Sequence, residues 1–193
     1  MKLHEYMINS SKVIVELGMG DGSLLKIMSE NEHDNNSFFI GIELDKCQYE
    51  KAMSQIKLVN VKLLNGSFED ILPTFPDNSV YRVISVLPDP KYIDQFKQQK
   101  WKFVYEIVYK KLRNHGTLEL VTEITDDLLQ EVSDQVYTRW VEWLAYTFQS
   151  MGFQIVTIRE GAPEEYSSQC LDQFRADPKR IRMVTVNMKK IMC

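Results

Sequence analysis

Three carboxylates stand where apolar runs end, and the residues around each suggest a chemistry. Glu16 follows Val13-Ile14-Val15 and precedes glycines at alternate positions, Gly18, Gly20 and Gly22. A strand, a glycine turn and then the helix-forming Ser23-Leu24-Leu25-Lys26-Ile27-Met28 build a site for a nucleotide-like ligand at the carboxyl end of a parallel strand. In nicotinamide-binding turns the glycines follow the strand directly and the helix N-terminus faces a pyrophosphate. Here Glu-x-Gly-x-Gly-x-Gly puts an anion at the turn, unfavourable beside pyrophosphate but suited to a cationic ligand. S-adenosylmethionine carries an ammonium and a sulfonium, so the charge argues for it. The plainer alternative is a carboxylate that caps local backbone amides.

Glu43 ends the second apolar run, Phe-Ile-Gly-Ile-Glu, where an acid can accept hydrogen bonds from both hydroxyls of a ligand ribose. After the third run comes Asn65-Gly66-Ser67-Phe68, the place for an adenine ring. Ser67 can hydrogen-bond that ring and Phe68 can cover its face; equally, Ser67 can cap a short helix and Phe68 can be core. Asp89 lies between Pro88 and Pro90, which hold its carboxylate in one direction. It stands after the fourth run, where a reactive methyl would project, and can accept from an amino group or position a base edge.

These residues need elements to hold them. Strands are expected over Lys12–Leu17, Phe38–Glu43, Val61–Leu64, Val80–Val86, Thr117–Thr122, Phe153–Ile158 and Arg180–Met188. Between them, helices are expected over about Gly22–Glu30, Asp45–Val59, Phe68–Leu72, Tyr92–Leu112 and Asp126–Met151. Asp45 is the expected N-cap of its helix, and Asn114-His115-Gly116 the expected glycine C-cap of the long one. Asn31–Ser37 reads as a loop, as does Arg159–Lys179 with one short helix. Alternating strands and helices predict a mostly parallel seven-stranded sheet covered on both faces. The last two strands have no full crossover helix between them, so the final one should insert antiparallel. That makes the expected fold a Rossmann-like class I methyltransferase α/β domain occupying residues 1–193.

Composition sets bounds. With 44% hydrophobic and 26% charged residues the chain is an ordinary globular one, and its net charge of −4 leaves nucleic-acid binding to a local basic patch. Cys47, Cys170 and Cys193 are far apart, and His4, His33 and His115 are scattered, so neither disulfides nor a metal site is expected. No apolar run spans a membrane and Met1–Glu5 lacks the core of a signal peptide, so a cytoplasmic location is expected; the expected assembly is a monomer or homodimer.

Together, Val-Glu-Leu-Gly-Met-Gly-Asp-Gly-Ser, Phe-Ile-Gly-Ile-Glu and Pro-Asp-Asn-Ser-Val-Tyr-Arg-Val-Ile-Ser-Val-Leu-Pro-Asp-Pro resemble the tRNA (guanine-N7)-methyltransferase family. The likeness runs over about Val13–Thr125, and the third motif is its specific one. It implies methyl transfer from S-adenosylmethionine to guanine N7 of tRNA. Glu16, the three glycines, Glu43, Ser67, Phe68 and Leu87 would hold the cofactor, and Asp89 would sit at the transfer point. Glu123 matches the acid the family places near the substrate, and Ser168 lies in the loop where the family has Thr-x-x-Glu. The chain departs from the family's Pro-Asp-Pro-Trp-x-x-Lys, having Lys91-Tyr92-Ile93-Asp94 after the second proline. It also has Ser67 or Gly66 in place of the usual acid after strand three, and no counterpart of the common N-terminal extension.

Lys91, Lys97, Lys100 and Lys102 would meet the nucleic acid, with Tyr92 and Trp101 available to stack on bases. Lys110, Lys111, Arg113, Lys179, Arg180 and Arg182 could add a phosphate-binding rim. Trp140 and Trp143, with Tyr137 and Phe148, should pack a helix on the sheet. Because Asp89-Pro90-Lys91-Tyr92 resembles Asp-Pro-Pro-Tyr, an N6-adenine methyltransferase is the first alternative. A small-molecule methyltransferase and a non-catalytic RNA-binding adaptor are the others.

Overall fold

The computed structural model describes residues 3–32, 36–126, 128 and 130–191. Met1, Lys2, His33, Asp34, Asn35, Asp127, Leu129 and Cys193, on which some of the expectations above fall, lie outside the described residues. A short helix α1 (Leu3–Asn9) precedes β1 (Lys12–Leu17), α2 (Ser23–Asn31), β2 (Ser37–Glu43), α3 (Lys46–Gln55), β3 (Val61–Asn65) and α4 (Phe68–Ile71). Then come β4 (Val80–Val86), α5 (Gln98–Lys111), β5 (Leu112–Thr125), α6 (Asp134–Ser150), β6 (Phe153–Glu160), α7 (Gln169–Arg175) and β7 (Ile181–Lys190).

The strands form one sheet in the order β3-β2-β1-β4-β5-β7-β6. All neighbours are parallel except β7, which is antiparallel to both β5 and β6. The expected inserted hairpin is therefore present. Central strands are buried on both faces, which is why they read as largely apolar runs. Val13, Val15 and Leu17 point into a core beneath α5 and α6, built on Trp101, Val108, Leu144 and Phe148. Ile14 points into the opposite core with Leu25, Ala52 and Leu171. Burying each such side chain contributes about 1.5–3 kcal/mol before chain entropy is charged. Among the described residues, no helix is long and apolar enough to cross a membrane.

The strand order reverses between β1 and β4, and ligands of open α/β sheets bind in the crevice outside the carboxyl ends at that point. Gly41 in β2 supports the crevice wall: a Cβ there would come within 2.1 Å of Met19 Sδ, so only glycine lets the turn after β1 seat on the sheet.

The ends of three expected helices are corrected. The helix expected over Tyr92–Leu112 begins only at Gln98, because Asp89 and Asp94 accept from the N–H of Lys91 (2.9 Å) and Phe96 (2.8 Å). Those bonds fold the preceding chain into tight turns over Pro90–Tyr92 and Gln95–Lys97. The glycine C-cap at Asn114-His115-Gly116 does not form, since Leu112 is already extended and pairs with Val80 of β4. Asp45 does cap α3, accepting from Gln48 N at 2.8 Å, but the helix stops at Gln55, short of Val59. The stretch expected to be helical from Asp126 yields α6 from Asp134, where Ser133 supplies the cap.

Candidate active site

The turn after β1 is held by its neighbour β2. Gly18 N and Met19 N donate to the Ile42 carbonyl at 2.9 and 3.1 Å. Gly20 N donates to Glu43 Oε2 at 2.8 Å, and Asp45 N donates to Glu43 Oε1 at 2.7 Å. Glu43 thus fastens the glycine turn to the start of α3. A carboxylate has about four lone-pair sites, so acceptor capacity remains for a ribose. Gly18 and Gly20 take φ of +69° and +56°, and a Cβ added at either would meet nothing within 4 Å among the described residues. The backbone here lines an open cradle, and Gly22 ends it as the N-cap of α2.

Glu16 forms the floor. It is 3% exposed, and its Oε2 has no hydrogen-bond partner among the described residues. Burial, reinforced by the charge of Asp21, pushes its carboxyl up to about 8, against the pull of a backbone hydrogen bond from Leu25. A carboxylate buried with one oxygen unpartnered is costly, and a cation in the cradle would relieve it.

Two cavities meet at Gly18, Val86 and Leu87. The smaller, about 370 Å³, contains Glu16, Gly20 and Asp21 on one side and Ser167–Leu171 on the other. The larger, about 610 Å³, is walled by Ile42, Glu43, Ser67, Phe68, Asp89 and Tyr92. A polar, anionic chamber beside an aromatic one suits a ligand with a cationic end and a flat ring. Leu87 has φ +49° although it is neither glycine nor asparagine. Its N–H donates to Val121 O at 2.8 Å, and strain of about 1–3 kcal/mol is typical at such positions in functional sites.

Ser67 lines the larger cavity, but its hydroxyl caps α4, accepting from Asp70 N at 3.1 Å and donating to Asp70 Oδ2 at 2.7 Å. Phe68 packs at 4.6 Å from the Tyr92 ring. Tyr92 is itself buried and hydrogen-bonded to Glu69, so it walls the cavity and is not exposed for stacking on nucleic acid.

Asp89 is exposed. Its Oδ1 caps Lys91, whose Nζ is 3.8 Å from Asp89 Oδ2 and 4.7 Å from the Tyr92 ring. A third cavity, about 340 Å³, adjoins through Lys91 and includes Asp94, Lys97, Glu123 and Trp140. β4 ends opposite Val121, so β5 runs on past it and carries Glu123 to this cavity. Glu123 Oε2 is buried with no partner among the described residues, and burial pushes its carboxyl up to about 7.

The structure dismantles most of the expected basic surface. Trp101 is 1% exposed, buried in the core with its indole N–H donating to Asp94 O at 2.8 Å. Lys111 is buried and donates to Phe75 O (2.6 Å), Asp77 Oδ1 (2.8 Å) and Pro73 O (3.1 Å). Arg182 stacks on Tyr137 between Asp134 and Glu160, and Arg180 pairs with Asp177. Lys110 pairs with Asp77, Lys179 with Glu131, and Arg113 donates to Ser11 O. Lys91, Lys97 and Lys100 stay exposed, Lys97 paired with Asp94 at 2.7 Å, and Lys102 donates to Ser150 Oγ at 3.3 Å. Trp140 and Phe148 pack α6 as expected.

Ser168 caps α7 at the edge of the smaller cavity. Its loop is anchored by a residue the sequence did not single out. Tyr166 donates to Glu119 Oε1, and Arg82 Nη2 reaches both Tyr166 Oη (3.2 Å) and Glu119 Oε2 (3.0 Å). No local pattern announces contacts so distant in the chain.

Residues 10–151 match a family model described as "Putative methyltransferase". A tRNA (guanine-N(7)-)-methyltransferase of Acinetobacter baylyi is 31% identical over 118 residues, 56% of this chain and 46% of that protein. One of Wolbachia pipientis is 36% identical over 90 residues, 45% of this chain and 40% of that protein. The chain thus spans less than half the length of these curated relatives. In overall fold it superposes on a solved Listeria monocytogenes protein, titled "putative S-adenosylmethionine dependent methyltransferase", with a TM-score of 0.68. That match covers 98% of this chain and 97% of the other at 19% identity.

Proposed function

The chain belongs to the methyltransferase family whose model it matches, and on that premise we propose that it transfers a methyl group from S-adenosylmethionine to N7 of a guanine in tRNA. The single observation that carries this reading is a pair of carboxylates, Glu16 and Glu123, each with one buried oxygen that has no partner among the described residues, on either side of the strand-order reversal. Glu16 offers an anion to a cationic ligand seated in the glycine cradle. Glu43 offers its remaining lone pairs to a ribose, and Phe68 an aromatic wall to an adenine. Leu87 closes the junction between the chambers. When bound, S-adenosylmethionine supplies an electrophilic methyl on a sulfonium.

Guanine N7 already holds a lone pair, so the protein must align and shield, and needs no strong base. Among the described residues Glu123 Oε2 is an acceptor without a donor, and guanine presents N1–H and the N2 amino group along one edge. Adenine has a ring acceptor at N1, which favours guanine over the N6-adenine alternative. Asp89, capped in place by Lys91, is the nearer carboxylate to the cofactor chambers and stabilises the positive charge that grows on the ring as N7 is alkylated. The resemblance to the two relatives named above supports tRNA as the carrier of that guanine. Incubation with labelled cofactor and bulk tRNA, followed by nucleoside analysis, tests this: label is expected in 7-methylguanosine. Label in N6-methyladenosine, or none in tRNA, overturns it.

A further inference from the structure

Phe96 is 94% exposed, yet it does not sit on a loose loop. Its N–H donates to Asp94 Oδ1 at 2.8 Å, and Lys97 Nζ donates to Asp94 Oδ2 at 2.7 Å. The Asp94 carbonyl takes the indole N–H of the buried Trp101 at 2.8 Å. The turn Gln95–Lys97 is therefore tied to the core while its phenyl ring stands in water. Single exposed apolar residues are common, so exposure alone means little. What singles this one out is its setting. Asp94 and Lys97 of the same turn wall the cavity that holds Glu123, and Lys91, Lys97 and Lys100 are exposed around it. Asp94 pairs with Lys97 and Asp89 with Lys91.

An exposed aromatic on a rigid mount, with cations to either side in sequence, is how proteins hold single-stranded nucleic acid: the ring stacks on a base and the cations meet phosphates. We propose that Phe96 is a stacking platform for an unpaired base of the RNA, adjacent in the strand to the base received by the Glu123 cavity. This rests on the RNA reading above. The side chain has no hydrogen-bonding group, so the platform accepts any base and adds affinity without sequence preference. A phenyl ring on a preformed turn also loses little freedom when the base lands on it.

The test is direct binding of bulk tRNA without cofactor, together with methylation kinetics, for the full chain and four variants. Phe96→Ala is expected to raise both the Kd and the KM for tRNA about tenfold. Cofactor affinity and thermal midpoint should be unmoved, because the ring packs against nothing in the core. The salt dependence of binding should keep its slope, since no phosphate contact is removed, whereas Lys100→Ala should lower it by about 0.7. Phe96→Trp should restore affinity and Phe96→Leu should not. Unchanged tRNA affinity in Phe96→Ala overturns the proposal. So does rescue by leucine equal to that by tryptophan, which would mark an apolar contact of the kind a protein partner makes. Phe96-dependent tRNA binding without methyl transfer would leave the platform standing and remove the enzymatic reading. Methylation with an unchanged KM in Phe96→Ala would do the reverse, and absence of tRNA binding by the unaltered chain would remove both.

Discussion

On the β1–β2 side of the cleft, Glu43 accepts from two backbone N–H groups and holds the glycine turn, while Glu16 lies beneath with a partnerless oxygen. On the β4–β5 side, Asp89 accepts from Lys91 N and holds the proline turn, while Glu123 lies deeper with its own partnerless oxygen. Each side therefore has one carboxylate that builds a turn and one that is open. The difference between the sides is depth. Glu16 is fully enclosed and pushed up to about 8, whereas Glu123 reaches about 7. Deeper burial makes the β1 side the more dependent on a cation, which fits a cofactor bound on every turnover. The shallower β4 side fits a base that must enter and leave.

The sharpest way to break this comparison is Glu16→Gln. Calorimetry should show S-adenosylmethionine binding weakened by about 100–1000-fold, the usual effect of removing one member of a buried charge pair. In the unaltered protein, affinity for the cofactor should rise from pH 6 to pH 8, because the cation selects the ionised carboxylate and releases its proton. Without ligand the dependence on stability is opposite in sense. The folded protein retains a proton that the unfolded chain loses above its ordinary value of 4.5, so stability falls as pH rises between 4.5 and about 8. Glu16→Gln should flatten that decline; a Gln variant with native affinity would show that Glu16 meets no cation.

Asp89→Asn keeps an acceptor for Lys91 N but removes the charge. Transfer to tRNA should fall about 100-fold in kcat/KM, with cofactor affinity changed less than about twofold. Next in size is Glu123→Gln, expected to raise KM for tRNA about tenfold. Its clearer signature is the pH profile. Methylation by the unaltered protein should climb through about pH 7 as Glu123 ionises, and the Gln variant should lose that step. Ser67→Ala should matter least for ligands. With its hydroxyl engaged by Asp70, the loss should be about 1 kcal/mol of stability, read as a lower thermal midpoint, with cofactor binding within about twofold. A larger binding defect would return Ser67 to the adenine contacts.

The fold was legible because its signals are local. Apolar runs such as Val13–Val15 announce buried parallel strands, and turn residues such as Asp45 and Ser67 cap helices within three residues of themselves. Boundaries failed where a partner strand decided the outcome, as when Val80 drew Leu112 into β5 and displaced the glycine cap. The lysine rim failed for a related reason. A basic residue looks the same in sequence whether it meets water or, like Lys111, three acceptors inside the protein.

By itself, then, the sequence determined the order of elements, the glycine turn, and the kinds of groups available at each strand end. Glu16, Glu43, Asp89 and Glu123 could be named because each directly follows an apolar run or lies within a local motif. Only the tertiary structure decided which oxygens of those carboxylates keep a partner. It also put Trp101 inside and Phe96 outside, and joined Tyr166 to Glu119 and Arg82. Desolvation and hydrogen-bond satisfaction depend on atoms brought together from distant parts of the chain, and no local pattern records them.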